Sequence, residues 1–263
     1  MAASRPVRGF GVAADVPLEM IRELAAATEA AGYRTFWVNN PANGDGLAIL
    51  KAAAEVTATI RLGVGVIPLE HVPPDQILER LLAHRLPQER VTLGIGSGRR
   101  PGAISRVRQA GEQLRAETAT TVVVGALGPQ MLRVAGEAAD GVLLNWLTAN
   151  YVVTAAEQTI RAAAAADRPR PRIDAYVRCA LGPDALTRLQ AEGERYTAIP
   201  QYGAHFTRMR VRAVDTAVVG LAPDAIQRGL AEFDGKLDEV VLRAIVAEET
   251  LANYRALLEA GAP

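Results

Sequence analysis

The sequence predicts an α/β protein folded as a (β/α)8 TIM barrel, with residues 1–263 forming a single domain. Three observations predict it. Eight β-branched or apolar runs alternate strictly with eight amphipathic, often Ala-rich runs. The length of 263 residues is typical of such a barrel. A doubly wound dinucleotide fold would need a glycine fingerprint after its first strand. Gly9-Phe10-Gly11 runs instead into Val12-Ala13-Ala14, and Gly94-Ile95-Gly96 meets Arg99 where the last glycine belongs.

Val7–Ala14 reads as the first strand. Pro17 opens a helix carrying Leu18, Ile21, Leu24 and Ala25 at helical spacing, and Gly32 closes it. Tyr33–Asn40 is aromatic and β-branched, hence the second strand, and the loop Pro41–Gly46 leads to a helix at Leu47–Ala58. Ile60–Pro68 is the third strand, followed by a helix at Asp75–Arg85 with Ile77, Leu78, Leu81 and Leu82 on one face. Arg90–Gly96 and Ala103–Glu117 form the fourth unit. In the fifth, Thr121–Val124 passes through Gly-Ala-Leu-Gly-Pro into an amphipathic helix. Gly141–Trp146 and Ala149–Ala166 form the sixth, and Ile173–Leu181 is the seventh strand. A helix around Asp184–Tyr196 and an irregular insertion that includes PQYGAHFTRM follow strand seven. A helix near Ala222–Asp234, the eighth strand Glu239–Ile245 and a last helix Glu248–Glu259 complete the chain.

Composition narrows the function. With 29 Lys+Arg against 29 Asp+Glu, the formal charge is zero and gives no footprint for nucleic acid. One cysteine, Cys179, excludes an intrachain disulfide and a cysteine-based metal cluster. Nothing resembles a membrane span or a signal peptide, so the expectation is a soluble, cytoplasmic protein.

In such a barrel the strand C-terminal ends and the following loops form the mouth that holds the site. Those ends are Ala13/Ala14, Asn39/Asn40, Ile67–His71, Gly96–Gly98, Ala126–Gln130, Asn145/Trp146, Cys179/Leu181 and Ala244/Ile245. A Schiff-base enzyme would want a lysine there, but Lys51 falls in a helix and Lys236 precedes strand eight. A metal hydrolase would want clustered ligands, whereas His71, His84 and His205 are scattered and only His71 falls on the mouth side. Asp140 precedes strand six and lies at the far end. A mouth of Gly, Asn, Ser, Trp and aliphatics suits a flat organic cofactor that brings its own reactivity. Gly128 permits close backbone approach, and Pro129 suits the first turn of a helix whose free N–H groups attract phosphate. Gly-x-Gly pairs recur at 9/11, 63/65 and 94/96, each clearing one side of its strand. For Gly9 the expected reason is helix–sheet contact outside the barrel; for Gly65 and Gly96 it is approach by a ligand.

RLGVGVIP, LGIGSG and VVVGALGPQMLRVAGEAADGVLLNW, in this order and spacing, resemble the luciferase-like superfamily of flavin- and F420-dependent oxidoreductases, specifically its actinobacterial F420-dependent branch. The match extends to about strand seven. The resemblance implies a deazaflavin or flavin lying across the mouth, backed by Gly65, Val66 and Ile67, with a non-prolyl cis peptide at Gly65–Val66. It implies that Gly96, Ser97, Gly98, Ala126, Leu127, Gly128, Pro129, Gln130 and Met131 hold the phosphate and tail, with Arg99 and Arg100 available to an acidic tail. Where F420 enzymes often carry Asp or His at the end of strand two, this chain has Asn39 and Asn40. An amide hydrogen-bonds but is a poor proton carrier, so His71, Glu70 or a water is left to supply a proton.

The function expected is hydride transfer between F420 and a small organic substrate, with Asn39 and His71 as catalytic residues and Asn40, Asn145 and Trp146 on the substrate side. FMN is the alternative cofactor, in a luciferase-like monooxygenase. Two further readings stay open: a flavin-binding protein without turnover, and a non-redox phosphosugar enzyme. Family analogy implies a homodimer, with Tyr202 and His205 of Gln201–Met209 as lid residues.

Overall fold

Period-two alternation along each strand decides which residues the barrel encloses, and the computed structural model follows it closely. The structure describes residues 7–41, 44–98 and 100–263. Arg99 lies outside the described residues, as does part of the loop Pro41–Gly46.

The strands, in chain order, are β1 (Arg8–Val12), β2 (Thr35–Val38), β3 (Arg61–Pro68), β4 (Val91–Gly96), β5 (Thr121–Ala126), β6 (Gly141–Asn145), β7 (Arg172–Leu181), β8 (Val218–Gly220) and β9 (Glu239–Ile245). All pairings are parallel. Strands β1 to β7 pair in sequence, β7 pairs with β9, and β9 closes on β1, giving the eight-stranded (β/α)8 barrel. Helices α1 (Leu18–Ala30), α2 (Gly46–Ala54), α3 (Pro74–Ala83), α4 (Ala103–Glu117), α5 (Pro129–Ala138) and α6 (Ala149–Ala165) alternate with the first six strands. Their apolar faces and the outward strand residues, such as Phe10, Phe36, Leu62 and Leu93, form one buried shell.

Two elements differ from the sequence reading. The helix expected around Asp184–Tyr196 is α7 (Pro183–Thr197), but the irregular insertion read after it is a second helix, α8 (Pro200–Met209). The stretch PQYGAHFTRM is α8 itself. Its aromatic-rich composition is a weak helix former, but Phe206 packs on Trp146, Leu189 and Ile245 in a second buried cluster, and that contact overrides propensity. A short 3-10 turn at Ala213–Thr216 then leads to β8, which pairs only with the end of β7 through Cys179–Leu181 and lies outside the barrel. Helices α9 (Pro223–Ala231) and α10 (Leu251–Ala260) flank β9.

Inside the barrel the inward residues stack in layers. Trp37 is fully buried at the centre with Val123, Leu143, Tyr176 and Val241. Its indole explains two glycines: a Cβ at Gly63 would stand 2.2 Å from Trp37 Cδ2, and one at Gly9 would stand 2.3 Å from Glu239 Oε1 and 3.1 Å from Trp37 Cδ1. Gly9 therefore clears the barrel interior, correcting the expectation of an outside contact. Below Trp37, at the N-terminal end, Arg172 bridges Asp174 and Glu239. Thr35 Oγ1 and Trp37 Nε1 donate to Glu239 at 3.1 and 3.3 Å. Burial and the neighbouring Glu239 raise the Asp174 carboxyl to about 7. Asp140 is structural at this same end: its carboxylate accepts from Arg115 at 2.5 Å and from the Val122 N–H at 2.9 Å.

Candidate active site

The opposite end of the barrel opens into a cavity of about 520 Å³. It is lined by the ends of β2, β3, β4, β5 and β6, by Tyr176 of β7, and by Tyr202 and Arg208 of α8. A larger groove of about 1050 Å³ runs between α7, α8 and the 3-10 turn. No strand-end residue reaches that groove, and its Arg212 and Asp215 are paired with each other at 2.7 Å. The smaller cavity is therefore the one with the means to do chemistry.

Its floor is a bulge in β3. The β3–β4 register shifts between Val64 and Ile67, and the Gly65–Val66 peptide is cis, as the family resemblance implied. Val66 turns into the barrel mouth over glycines of two neighbouring strands. A Cβ at Gly96 would lie 2.6 Å from Val66 Cγ2, and one at Gly125 would lie 2.8 Å from Val66 Cγ1. The nearest neighbour of Gly96 is thus Val66; the glycines seat the bulge, and the bulge shapes the cavity. Ile67, the next residue, is only 2% exposed and belongs to the outer shell, not to the cavity lining.

Asn39 anchors this floor. Its Nδ2 donates to Gly65 O at 3.0 Å, while its Oδ1 accepts from Arg243 Nε at 2.7 Å. Asn40 ties its own loop, with Nδ2 donating to Pro41 O at 2.8 Å and Oδ1 accepting from the Gly46 N–H at 3.0 Å. Across the mouth, Asn145 Oδ1 accepts from Arg178 at 2.6 Å, and Arg178 also donates to Glu192 at 2.7 Å. All three asparagines line the cavity. Trp146 does not: it is buried beneath Arg178, whose Cζ lies 3.5 Å from the ring centroid, and its backbone has φ of +56°.

His71 is half exposed beside Glu70, with Nε2 3.3 Å from Oε1, and it does not line the cavity. Glu70 does. Its side chain folds over Gly98, where φ of +69° suits glycine and a Cβ would stand 2.3 Å from Glu70 Cδ. Its Oε2 also accepts from the Arg100 N–H at 3.2 Å.

Two strands along from the bulge, the β5–α5 turn forms the next part of the rim. Gly128 is the N-cap of α5, Pro129 occupies its first turn, and no side chain caps it. Ala126, Leu127, Gly128 and Met131 line the cavity, as do Gly96, Ser97 and Gly98 at the end of the adjacent strand; Pro129 and Gln130 do not. Arg208 reaches over this turn from α8, donating to Leu127 O at 2.7 Å and to His205 Nδ1 at 3.0 Å. His205 Nε2 faces Trp146 O at 3.0 Å, so the proton sits on Nε2 and Nδ1 accepts. Burial lowers the His205 pKa and keeps the ring neutral. The uncapped helix start and the guanidinium beside it together favour an anion.

Sequence reasoning missed Tyr176, Arg178, Arg243 and Arg208. The first three had a readable signal. In IDAYVRCAL and EVVLRAI the inward parity is Asp174/Tyr176/Arg178 and Glu239/Val241/Arg243, whereas Cys179 and Ala244 were read as the mouth residues. Cys179 is instead fully buried in the outer shell, where burial pushes its thiol pKa up. Among the described residues, no group of three or more His, Cys, Asp or Glu could hold a metal, and no helix is long and apolar enough to cross a membrane.

The family model described as luciferase-like monooxygenase matches residues 3–121 and 103–215. The chain belongs to that family. Solved structures share the luciferase-like fold at low identity. The coenzyme F420-dependent tetrahydromethanopterin reductase of Methanopyrus kandleri is 18% identical, with 98% of each chain covered and a TM-score of 0.73. An F420-dependent secondary alcohol dehydrogenase, in complex with an F420–acetone adduct, is 12% identical over 97% of this chain and 99% of the other, with a TM-score of 0.74. The FMN-bound oxygenating constituent of 3,6-diketocamphane monooxygenase from Pseudomonas putida is 16% identical over 98% and 96%, with a TM-score of 0.71.

Proposed function

We propose that this luciferase-like protein is an oxidoreductase that transfers a hydride between coenzyme F420 and a small organic substrate. The observation that carries the reading is the cavity itself: an apolar bulge and, two strands along, an uncapped helix start with an arginine over it share one wall lined by small residues. A planar ring with an anionic tail fits that division of labour. Gly65 and Val66 back the ring, and residues 96–98 and 126–128 with Arg208 hold the phosphate. The F420-dependent structural neighbours support the choice of cofactor.

When bound, the deazaflavin supplies or accepts the hydride. The chain's own residues do the rest. Asn39 holds the bulge in place through Gly65 O, and Arg243 fixes which way the amide points. Asn145, held by Arg178, presents its remaining amide group toward the substrate side. Tyr196, Ile199 and Tyr202 cover the cavity from the α7–α8 side and restrict water.

FMN in a monooxygenase is the second reading, supported by the family description and by the FMN-bound neighbour. Fluorescence titration of the purified protein with F420 and with FMN separates the two. The expected result is saturable micromolar binding of F420 and none of FMN, followed by anaerobic oxidation of reduced F420 by a carbonyl or alkene substrate. FMN binding with oxygen consumption would replace the first reading by the second. Binding without turnover on any substrate would leave a cofactor-binding protein.

A further inference from the structure

Seven buried side-chain polar atoms lack a partner among the described residues, and only Tyr176 Oη belongs to a residue lining the cavity. Tyr176 reaches that place because β7 alternates Asp174, Tyr176 and Arg178 toward the barrel axis. Its ring is fixed edge-on against Trp37, with centroids 5.6 Å apart and planes at 80°, so the hydroxyl cannot swing aside. The Oη lies beside Gly65 at the cavity floor: a Cβ at Gly65 would stand 2.6 Å from it. Gly65 O and Asn145 Oδ1 accept from Asn39 and Arg178, and neither is paired with Tyr176 Oη. Arg178 and Arg243 are register partners at the same level of the mouth, two residues beyond Tyr176 and Val241 on their strands.

We infer that Tyr176 donates a hydrogen bond to an acceptor atom, a carbonyl oxygen or imine-type nitrogen, on the edge of the planar ring seated on Gly65–Val66. This rests on the reading of the cavity as a deazaflavin or flavin site. The depth of the hydroxyl selects the ring over the substrate. Tyr176 lines the cavity floor beside Gly65 and is only 5% exposed, so it is within reach of a molecule in contact with that floor and not of one stacked above that molecule.

Tyr176→Phe deletes one oxygen and keeps the ring against Trp37. The dissociation constants of F420 and FMN are measured by fluorescence for both proteins, with the absorption band of the bound cofactor and the melting temperature of the cofactor-free proteins. The expected result is about three- to tenfold weaker binding of whichever cofactor the wild type holds, a displaced absorption band, and no loss of cofactor-free melting temperature. Equal affinity with superimposable bands would overturn the inference and leave the cofactor site standing, and so would a lowered cofactor-free melting temperature, which marks a bond made within the protein. Failure of the wild type to bind either cofactor would remove the site and the inference together.

Discussion

At the N-terminal end of the barrel, Arg172 lies between two buried carboxylates. At the C-terminal end, Arg178 and Arg243 hold two asparagine amides around about 520 Å³ of open space. On β7 and β9 the two ends belong to one inward-facing series, Arg172, Asp174, Tyr176 and Arg178 on the first strand and Glu239, Val241 and Arg243 on the second. Both also contain buried polar atoms without a partner, but these differ in kind. Asp174 Oδ1 and Arg61 Nε belong to groups that are held through their other atoms, by Arg172 and Thr121. Tyr176 Oη is the sole polar atom of its side chain. Leaving a buried hydroxyl unmatched costs about 1–3 kcal/mol, a cost that ligand binding at the open end can remove and that nothing at the closed end can. Trp37 divides the two regions and fills the axis between them.

The comparison breaks first at Trp37. Gly63→Val should be the most damaging change, because even a Cβ there overlaps the indole at 2.2 Å. A destabilisation of about 3 kcal/mol or more is expected, read as a lower midpoint in denaturant unfolding. A midpoint matching the wild type would mean that Trp37 does not plug the barrel. Gly125→Ala acts one layer higher, where the clash at 2.8 Å is with Val66 at the mouth. Its expected signature is inverted: about a tenfold loss of F420 affinity with a stability change under about 1.5 kcal/mol.

Arg208→Met sharpens the assignment of the anionic rim. Binding of FMN or F420 should weaken about three- to fivefold at low salt, in line with a partly exposed ion pair, and the deficit should shrink as salt rises. Riboflavin, which lacks the phosphate, should bind wild type and variant alike. An equal deficit for riboflavin would place Arg208 away from the phosphate.

Asp174→Asn probes the closed end through the pH dependence of stability. The folded-state carboxyl titrates near 7, above its ordinary 3.8. The protonated form thus stabilises the fold below about pH 4, and that contribution is lost as pH rises toward 7. The variant has no such titration, so its stability relative to wild type should grow from pH 4 to 7 and level off above. Taking the difference cancels His205, whose lowered pKa costs stability as pH falls below its usual 6.5. A flat difference curve would show that Asp174 is ionised throughout.

Much of this architecture was legible in the sequence. The strand–helix alternation carried the barrel, and the bulge was expected only because RLGVGVIP resembles the third strand of the luciferase-like family. The glycine pairs were visible but their reasons were not, since Gly63 and Gly96 answer to Trp37 and Val66, which approach from neighbouring strands. Arg178 and Arg243 escaped notice because an arginine in a strand usually faces solvent, and only the closure of the barrel turns these inward. Helix α8 was hidden for a related reason: it is stabilised by Phe206 packing on Trp146, a contact 60 residues apart in sequence.

The most direct test of the account is difference electron density from crystals soaked with F420 and, separately, with FMN. The account predicts density for a planar ring lying on Gly65–Val66, with the phosphate between residues 96–98 and the start of α5. Density confined to the groove between α7 and α8, with the barrel mouth occupied by solvent alone, would contradict it.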